Sequence, residues 1–267
     1  MENSKIKLGF IGCGKMASAI IGGCLHSFIK ENIFASEINP EARNIARQNF
    51  GIEIFDNNID VIKKADVIIF CVKPFVIKDV LKEIAPYITR QQLIISIAAG
   101  VKIETIKEIL GDVNVIRVMP NTPAMVKEGM SAICPDEGIN KNFLEIAKII
   151  MNSVGETVFT EEKYIDVITS LSGSGPAFYY KIINDMAKAA SNMGLDYKTA
   201  LKLSAQTAVG AGKMILQSTD TPEKLIENVT TKGGCTEVGN TILNESQIEN
   251  ILIETILKTA KKAKELG

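Results

Sequence analysis

The apolar positions of the first 160 residues form short runs that polar or helical stretches separate. Runs with apolar residues on both faces are typical of parallel strands that helices cover on both sides of a sheet. Helical segments such as Asn140 to Val154 lie between the runs, so the pattern predicts an α/β fold with a doubly wound sheet of about eight strands. The predicted strands are Leu8–Ile11, Ile33–Ser36, Ile52–Phe55, Val67–Val72, Leu93–Ile97, Val115–Met119, Met130–Cys134 and Glu156–Phe159.

From Tyr164 onward these runs stop, and apolar residues recur at the three- and four-residue spacing of helices. A small-residue hinge at Leu171–Pro176 leads into a long helix, and a second long helix is predicted from Tyr197 to Gln217. Alanine and glycine residues on these helices permit close helix contacts, as in segments that join subunits. We therefore predict a Rossmann-type α/β domain at residues 1–160 and an all-α helical dimerisation and substrate domain at residues 161–267.

The turn after the first strand, Gly12–Ala17, has the Gly-x-Gly-x-x-Ala spacing of a dinucleotide-binding loop. Gly12 permits the tight turn, Gly14 lets a pyrophosphate approach the backbone, and Ala17 lets the next helix pack against the strand. The N-terminus of that helix offers N–H groups to the phosphates. Because a strand precedes the turn and a helix follows it, we predict dinucleotide binding here.

The end of the second strand, about 20 residues beyond the glycines, is where such folds contact the adenosine ribose. Glu37 lies there, and an acidic residue favours a free ribose 2′-hydroxyl. Ser36 and Arg43 lie nearby and suit a 2′-phosphate instead. The two signals conflict, and Glu37 could equally be a solvated loop charge, so these residues leave NADPH and NADH open.

Three further strand ends carry residues suited to a ligand, which in open α/β sheets collects at the carboxyl ends of strands. The fourth strand ends in Lys73 and Pro74, and the fifth ends in Ala98–Gly100. The small residues of the latter leave room for a ligand or simply permit a tight turn. Asn121 stands between two prolines, which either place its amide beside a nicotinamide ring or form a rigid structural turn.

The second chemical feature is the loop Thr230–Thr236, in which Gly233 and Gly234 precede a helix. Consecutive backbone N–H groups in such a loop can hold a carboxylate, and the Thr236 hydroxyl could contact the reacting end of an anionic substrate. Thr236 is equally suited to be the helix N-cap, which would explain it without any substrate.

Composition and charge narrow the function classes. The 30 basic residues nearly balance the 31 acidic ones and form no basic stripe, which argues against a nucleic-acid partner. No uncharged apolar run is long enough for a membrane span, so we expect no membrane association. The five cysteines show no metal-type spacing, and we expect reduced thiols, no metal site and a cytoplasmic location. His26 is the only histidine and is expected on the solvent side of the first helix, which argues against zinc or Ser-His-Asp chemistry.

Taken in order, these segments resemble the pyrroline-5-carboxylate reductase family over almost the whole chain. Each segment alone is modest, but six occur in the right order and spacing. They are Gly9–Ala17, Val72–Pro74, Ser96–Val101, Arg117–Pro123, Leu171–Ala177 and Gly233–Thr236.

The resemblance implies a reductase that transfers a hydride from NADPH, with NADH as the alternative, to the C=N carbon of 1-pyrroline-5-carboxylate. The product would be L-proline, at the last step of proline biosynthesis. The resemblance further implies that Thr236 is catalytic and hydrogen-bonds the substrate nitrogen, while Thr231 and the N–H groups of Gly233–Thr236 hold the substrate carboxylate. The cofactor-binding residues expected are Ile11, Gly12, Cys13, Gly14, Lys15, Met16, Ser36, Glu37, Asn58, Cys71, Val72, Lys73, Pro74, Ile97, Ala98, Ala99, Asn121 and Asn228.

The family resemblance also implies a homodimer with intertwined helical domains, with a larger ring as a further assembly. In such dimers one subunit's cofactor domain meets its partner's helices. The chain departs from the family pattern at Lys232, where proline is usual; the change loosens the loop and adds a positive charge. Thr231 replaces a common serine and keeps the hydroxyl. Cys235 replaces a usual small residue such as alanine, and its thiol predicts an activity that oxidants can impair.

Two other functions fit parts of the sequence. A β-hydroxyacid dehydrogenase or another imine reductase shares the two-domain plan, and Lys181 is available as the catalytic lysine that the first of these requires. The loop Thr230–Thr236 has no role in that chemistry. A cofactor-binding sensor without turnover would keep the first half and lose the loop chemistry, and Thr236 argues against it.

Overall fold

One eight-stranded sheet forms the centre of the first part of the chain. The structure is a computed structural model that describes residues 5–266. The strand order β3-β2-β1-β4-β5-β6-β7-β8 places β1 between the two halves of a doubly wound sheet. All neighbouring strands are parallel except β6 and β7. The strands are β1 Leu8–Ile11, β2 Ile33–Ser36, β3 Glu53–Phe55, β4 Val67–Phe70, β5 Leu93–Ser96, β6 Asn114–Met119, β7 Gly129–Pro135 and β8 Gly155–Phe159.

All eight predicted strands are present, with small differences at their ends. The prediction carried the fourth strand to Val72, whereas β4 ends at Phe70. The reason is pairing: Phe70 is the last residue of β4 with partners, Ile11 of β1 on one side and Ser96 of β5 on the other. Beyond Phe70 one more bond joins the chain to β1, from the Cys71 N–H to the Ile11 carbonyl at 2.9 Å, before the chain leaves the sheet.

Helices cover both faces of the sheet. Alternate residues of the strands enter two apolar clusters, so that Phe10 packs in one cluster and Ile11 in the other. The sequence analysis did not identify α2 or α5. The first is easily missed because only Ala46 of α2 is buried, which leaves little apolar periodicity. The helices are α1 Lys15–Cys24, α2 Pro40–Phe50, α3 Asn58–Lys64, α4 Ile77–Ile84, α5 Ile103–Leu110, α6 Lys141–Asn152 and α7 Ile165–Ile168.

The chain divides into two compact units, one reaching Ser174 and also containing the residues from Thr259 onward, the other comprising Gly175–Lys258. A π-helical turn at Thr169–Gly173 overlaps the predicted hinge at Leu171–Pro176. The domain boundary predicted between residues 160 and 161 stays a prediction. In the part of the chain that the structure describes, five further helices follow the hinge: α8 Gly175–Asn192, α9 Tyr197–Gln217, α10 Pro222–Val229, α11 Cys235–Glu245 and α12 Ile248–Leu266.

The second unit is built around the α8 and α9 pair. The Ser204 hydroxyl donates to the Ile183 carbonyl at 3.0 Å, and the Tyr197 hydroxyl donates to Asn184 at 2.7 Å. Apolar side chains on these helices and on α10–α12 are largely exposed. In the part of the chain that the structure describes, no helix is both long enough and apolar enough to cross a membrane.

Candidate active site

The loop between β1 and α1 has the backbone geometry of a dinucleotide-binding turn. Gly12 has a φ of 93°, in the region that favours glycine, and its N–H donates to the Ser36 carbonyl at 2.9 Å. A Cβ at Gly12 would lie 3.3 Å from both the Cys71 carbonyl oxygen and Val72 Cγ1. The turn is therefore enclosed by the ends of β2 and β4, and only glycine fits it without strain.

The space in front of α1 fits a pyrophosphate. Gly14 is the N-cap of α1, and no side chain caps this helix. A Cβ at Gly14 would meet no atom within 4 Å, so the backbone can be approached closely from outside. Lys15 is exposed and Met16 half-buried at the start of the helix. Free N–H groups at a helix start, with open space before them, are the features that hold phosphates in this fold.

Glu37 lies beside this loop. Its carboxylate accepts the N–H of Cys13 at 3.0 Å and the N–H of Asn39 at 3.0 Å. The Arg43 guanidinium donates to the backbone oxygens of Glu37 at 2.8 Å and of Ile38 at 3.4 Å. The carboxylate is thus fixed at the place where the ribose is expected, with a cation next to it.

Ser36 and Asn58 belong to a buried chain of hydrogen bonds behind the loop. The Ser36 hydroxyl donates to Asn58 Oδ1 at 2.7 Å, and Asn58 Nδ2 donates to Glu83 at 2.9 Å. Ser36 is 1% exposed and Asn58 6% exposed. In this arrangement the Ser36 hydroxyl is paired with Asn58, while the Ser36 carbonyl accepts the Gly12 N–H of the loop, and Glu83 is a supporting residue that the sequence analysis missed.

The other predicted strand ends lie at the same sheet edge, because β1, β4 and β5 are neighbours in register. Cys71, Val72 and Ile97 are half-buried there, and Ala98 is buried. Lys73, Pro74 and Ala99 are exposed at this edge. Burial raises the pKa of the Cys13 thiol to about 12, with a smaller contribution from the Glu37 carboxylate. Burial also raises the pKa of Cys71. Both thiols next to the loop are therefore neutral at physiological pH.

Asn121 braces three segments with its side chain. Its Oδ1 accepts the Met130 N–H at 2.8 Å, and its Nδ2 donates to the Ser172 carbonyl and hydroxyl, each at 3.3 Å. The residue is 9% exposed. These hydrogen bonds support the alternative that Asn121 belongs to a rigid structural turn, and its contact with a nicotinamide stays a prediction.

The predicted substrate loop begins with a tight turn from Thr231 to Gly234. The Gly234 N–H donates to the Thr231 carbonyl at 2.8 Å, and Gly233 has a φ of 74°. A positive φ at the third position is the mark of a type II turn, in which proline is favoured at the second position. Lys232 occupies that second position, so the proline usual in the family has a conformational reason.

The N-cap of α11 is Gly234, without a side-chain hydrogen bond, and Thr236 is the second residue of the helix. The alternative that Thr236 serves as the N-cap is therefore wrong: the turn brings the helix to its start two residues earlier. Within residues 5–266, neither the Thr231 nor the Thr236 hydroxyl has a hydrogen-bond partner. Both are available to a ligand beside the free N–H groups of the first helical turn.

Glu237 is a residue of this loop that the sequence analysis missed. Its carboxylate accepts the Gly233 N–H at 2.7 Å. It lies three residues after the N-cap, the spacing at which a glutamate reaches back to a helix start, so the signal was present in the sequence. One of the N–H groups expected to hold the substrate carboxylate therefore already has a carboxylate partner.

Three other predicted residues have ordinary surroundings. Asn228 is exposed on α10 and donates to Asp220 at 3.4 Å. Lys181, the lysine that the dehydrogenase alternative requires, is exposed on α8 and paired with Asp185. His26 is exposed just after α1. Among residues 5–266, no group of three or more His, Cys, Asp or Glu side chains is placed to hold a metal ion.

Comparisons with known proteins agree with the two-part architecture. Residues 162–266 match the family model described as pyrroline-5-carboxylate reductase dimerisation. Residues 7–100 match the model described as NADP oxidoreductase, coenzyme F420-dependent. The predicted fold class, an α/β Rossmann-type sheet followed by an all-α dimerisation region, is thereby confirmed, as is the assignment to NAD(P)-binding oxidoreductases.

Proteins that match over nearly the whole of this chain are named pyrroline-5-carboxylate reductases. A pyrroline-5-carboxylate reductase of Methanosarcina acetivorans is 38% identical over 100% of this chain and 99% of its own length. A solved pyrroline-5-carboxylate reductase of Coxiella burnetii is 31% identical, with a TM-score of 0.93 over 99% of both chains. A Plasmodium falciparum pyrroline carboxylate reductase, solved with NADP bound, is 30% identical, with a TM-score of 0.87 over 100% of this chain and 99% of that one. These matches confirm the predicted family, and the chain belongs to the pyrroline-5-carboxylate reductases.

Proposed function

We propose that this protein reduces the C=N bond of 1-pyrroline-5-carboxylate with NAD(P)H and forms L-proline. The observation that carries the proposal is the full-length match at 38% identity, which includes both glycine loops described above. The first loop has room for a pyrophosphate at Gly14, and the second has two free hydroxyls at Thr231 and Thr236. The two loops therefore supply the groups that a nicotinamide-dependent imine reductase needs.

Reduction of the imine requires few catalytic side chains. A bound nicotinamide supplies the hydride, and a protonated cyclic imine is already a strong electrophile. The protein then has to orient the two partners, exclude water and hold the charges in place. We assign the ring nitrogen to the Thr236 hydroxyl, and the substrate carboxylate to Thr231 and the N–H groups at the start of α11. This division explains why an exposed His26 is no obstacle to catalysis.

The direct test is oxidation of NADPH and, separately, of NADH by the purified protein with 1-pyrroline-5-carboxylate. We expect turnover that depends on the substrate and yields L-proline, detected by mass spectrometry. Binding of the cofactor without turnover would reject the proposal in favour of a sensor. Turnover of a different cyclic imine, but not of this one, would move the assignment to another imine reductase.

For the nucleotide we propose NADPH, as the family resemblance implies, with NADH also accepted. Arg43, whose guanidinium donates to the Glu37 and Ile38 carbonyls, is the cation that we expect to face a 2′-phosphate. The Glu37 carboxylate, fixed by two N–H groups, disfavours that phosphate and accepts a free 2′-hydroxyl. We expect Glu37→Gln to raise the ratio of kcat/KM for NADPH over NADH about tenfold, or roughly 1.4 kcal/mol, and Arg43→Gln to lower it. Unchanged ratios in both variants would reject this division of roles.

The assembly we propose is a homodimer through the helices of the second unit, with a larger ring as a further step. Large apolar side chains are exposed on these helices, for example Leu216 at 82% and Ile242 at 64%. Exposed apolar surface of this extent marks an interface. Analytical ultracentrifugation should show a dimer or a multiple of it, and Ile242→Glu should shift the protein toward monomers. A monomeric wild-type protein at micromolar concentration would contradict the proposal.

A cytoplasmic location is proposed on the state of the thiols. All five cysteines are free, and Cys235 is exposed. Free exposed thiols are typical of reducing compartments. Fractionation of cells that express the chain at its natural level, with immunodetection, tests this directly.

A further inference from the structure

A cavity of about 720 Å³ lies within the first unit, apart from the glycine loop. Residues after β5, residues around α7 and the end of α12 form its walls. Cationic side chains dominate its lining, since five of them stand against the carboxylates of Glu162 and Asp166. The five are Lys102, Arg117, Lys163, Lys261 and Lys264.

Arg117 is the buried element of this cavity. It extends from β6, is 5% exposed, and uses one guanidinium nitrogen to donate to Glu162 at 2.8 Å. The same Glu162 oxygen also accepts the Ile103 N–H at 2.9 Å. Within residues 5–266, every fully buried side-chain nitrogen has a hydrogen-bond partner. The other two guanidinium nitrogens of Arg117 have no hydrogen-bond partner among these residues, so they are not fully buried, and the residue lines the cavity.

Most of the lysines at the cavity rim have no carboxylate partner. Lys163 pairs with Glu161 at 2.8 Å. In the described part of the chain, Lys102, Lys261 and Lys264 have no carboxylate within ion-pair distance. A buried guanidinium with free N–H groups and three unpaired ammonium groups outnumber the two lining carboxylates, so the cavity is positively charged.

We propose that this cavity binds a small anion through its phosphate groups. The guanidinium matches the geometry of phosphate oxygens, and lysines add point charges around it. The volume lies in the range of small-molecule sites and accommodates a ligand larger than a single phosphate. A polyphosphate or a phosphorylated metabolite of up to nucleotide size is the ligand class that fits. None of the lining residues belongs to the glycine loop after β1 or to the expected cofactor-binding residues, and Gly100 alone adjoins one of these, Ala99 at the end of β5.

The test is a calorimetric titration of the full-length protein with pyrophosphate at low salt, where such contacts are screened least. Saturating NADP⁺ is present throughout, so that the glycine loop is occupied and cannot take the probe. We expect one saturable pyrophosphate site per chain. The double variant Lys261→Gln with Lys264→Gln should bind about tenfold more weakly, because two of the five cations are removed.

The matched control is Lys258→Gln with Lys262→Gln. These lysines lie on the same helix, carry the same charge and pair with Glu254 and Glu265, but they do not line the cavity. All four lysines are exposed, so neither double variant should alter folding, which a thermal melt checks. Absence of saturable pyrophosphate binding, or equal weakening in both double variants, would overturn the proposal. Because the readout is binding and not turnover, its outcome is independent of the reductase assignment.

Discussion

The two glycine loops of this protein use the same backbone device in different surroundings. Each precedes a helix that no side chain caps, and each has a carboxylate of the chain on one of its N–H groups. In the first loop Glu37 accepts from Cys13 across 24 residues of sequence. In the second Glu237 accepts from Gly233 across four residues.

The two loops differ in what holds their backbone in shape. The ends of β2 and β4 enclose the first loop, and a Cβ at Gly12 would be held 3.3 Å from the Cys71 carbonyl. The second loop is exposed at Thr231, Lys232 and Gly233, and its shape depends on its own turn. The sheet therefore fixes the first loop, whereas single residues can tune the second.

The largest effect is expected where the second loop depends on a side chain. Thr236→Ala removes the hydroxyl that we assign to the substrate nitrogen, and kcat should fall about 100-fold, as when one transition-state donor is lost. Thr236→Ser keeps the hydroxyl and should retain most of the activity. Cofactor affinity, measured by fluorescence titration, should not change in either variant. Equal kcat values for the alanine and serine variants would remove Thr236 from the mechanism.

The first loop should depend on the absence of side chains instead. Gly14→Ala adds a methyl group in open space, so the protein should fold normally but bind the nucleotide about tenfold more weakly. Gly12→Ala forces a left-handed residue into an enclosed turn and should lower the free energy of unfolding by about 1–3 kcal/mol. Thermal melts and cofactor titration separate the two effects. A Gly14→Ala protein with normal affinity would show that the pyrophosphate does not lie there.

The contrast between the loops also explains what the sequence could predict. The strands and the first loop follow from apolar runs and glycine spacing, because both depend on the sheet. Ala46 is the only buried residue of helix α2, so its apolar periodicity is weak although Asn39 and Pro40 mark its start. The cavity around Arg117 is lined by residues far apart along the chain, so no local sequence pattern predicts it.

Thr236 shows a different limit. A threonine after two glycines fits an N-cap as well as a catalytic group, and only the turn from Thr231 to Gly234 moves the helix start to Gly234. The capping-box spacing of Glu237 was visible, but its partner was not, because the carboxylate reaches Gly233 outside the helix. Backbone register within a loop is therefore the part that sequence patterns leave undetermined.

The two loops also differ in the reactivity that we expect of their thiols. Burial raises the pKa of Cys13 in the first loop to about 12, whereas Cys235 in the second loop is exposed. Iodoacetamide at neutral pH should therefore modify Cys235 first and reduce substrate turnover several-fold, since a bulky group then stands beside Thr236. Cys235→Ala should be protected from this loss and from mild oxidation. Loss of activity that persists in Cys235→Ala would place the sensitive thiol elsewhere.

Glu237 tests whether the second loop is already occupied. Its carboxylate must leave the Gly233 N–H if the substrate carboxylate is to use that group. Glu237→Ala should therefore lower KM for 1-pyrroline-5-carboxylate about threefold, with kcat little changed. A rise in KM would contradict this competition and would show instead that Glu237 holds the turn in its binding shape. The change Glu37→Ala in the first loop is the comparison, since it should leave KM for this substrate unchanged.

A similarly small effect is expected at Lys232, where the second loop lacks the proline usual in the family. Lys232→Pro fixes φ at the second position of the type II turn and removes no hydrogen bond, because the Lys232 N–H has no acceptor among residues 5–266. Reduced freedom of the unliganded loop should stabilise its bound shape by about 0.4–1 kcal/mol, which corresponds to a two- to fivefold lower KM.

The Lys232→Pro variant also removes a positive charge, and Lys232→Ala isolates that second effect. If the charge contributes, Lys232→Ala should raise KM, most clearly at low salt, and the ratio of KM between the proline and alanine variants then measures the turn alone. Equal KM values for the two variants would mean that the turn is already rigid without proline, and that the second loop, like the first, is fixed by what surrounds it.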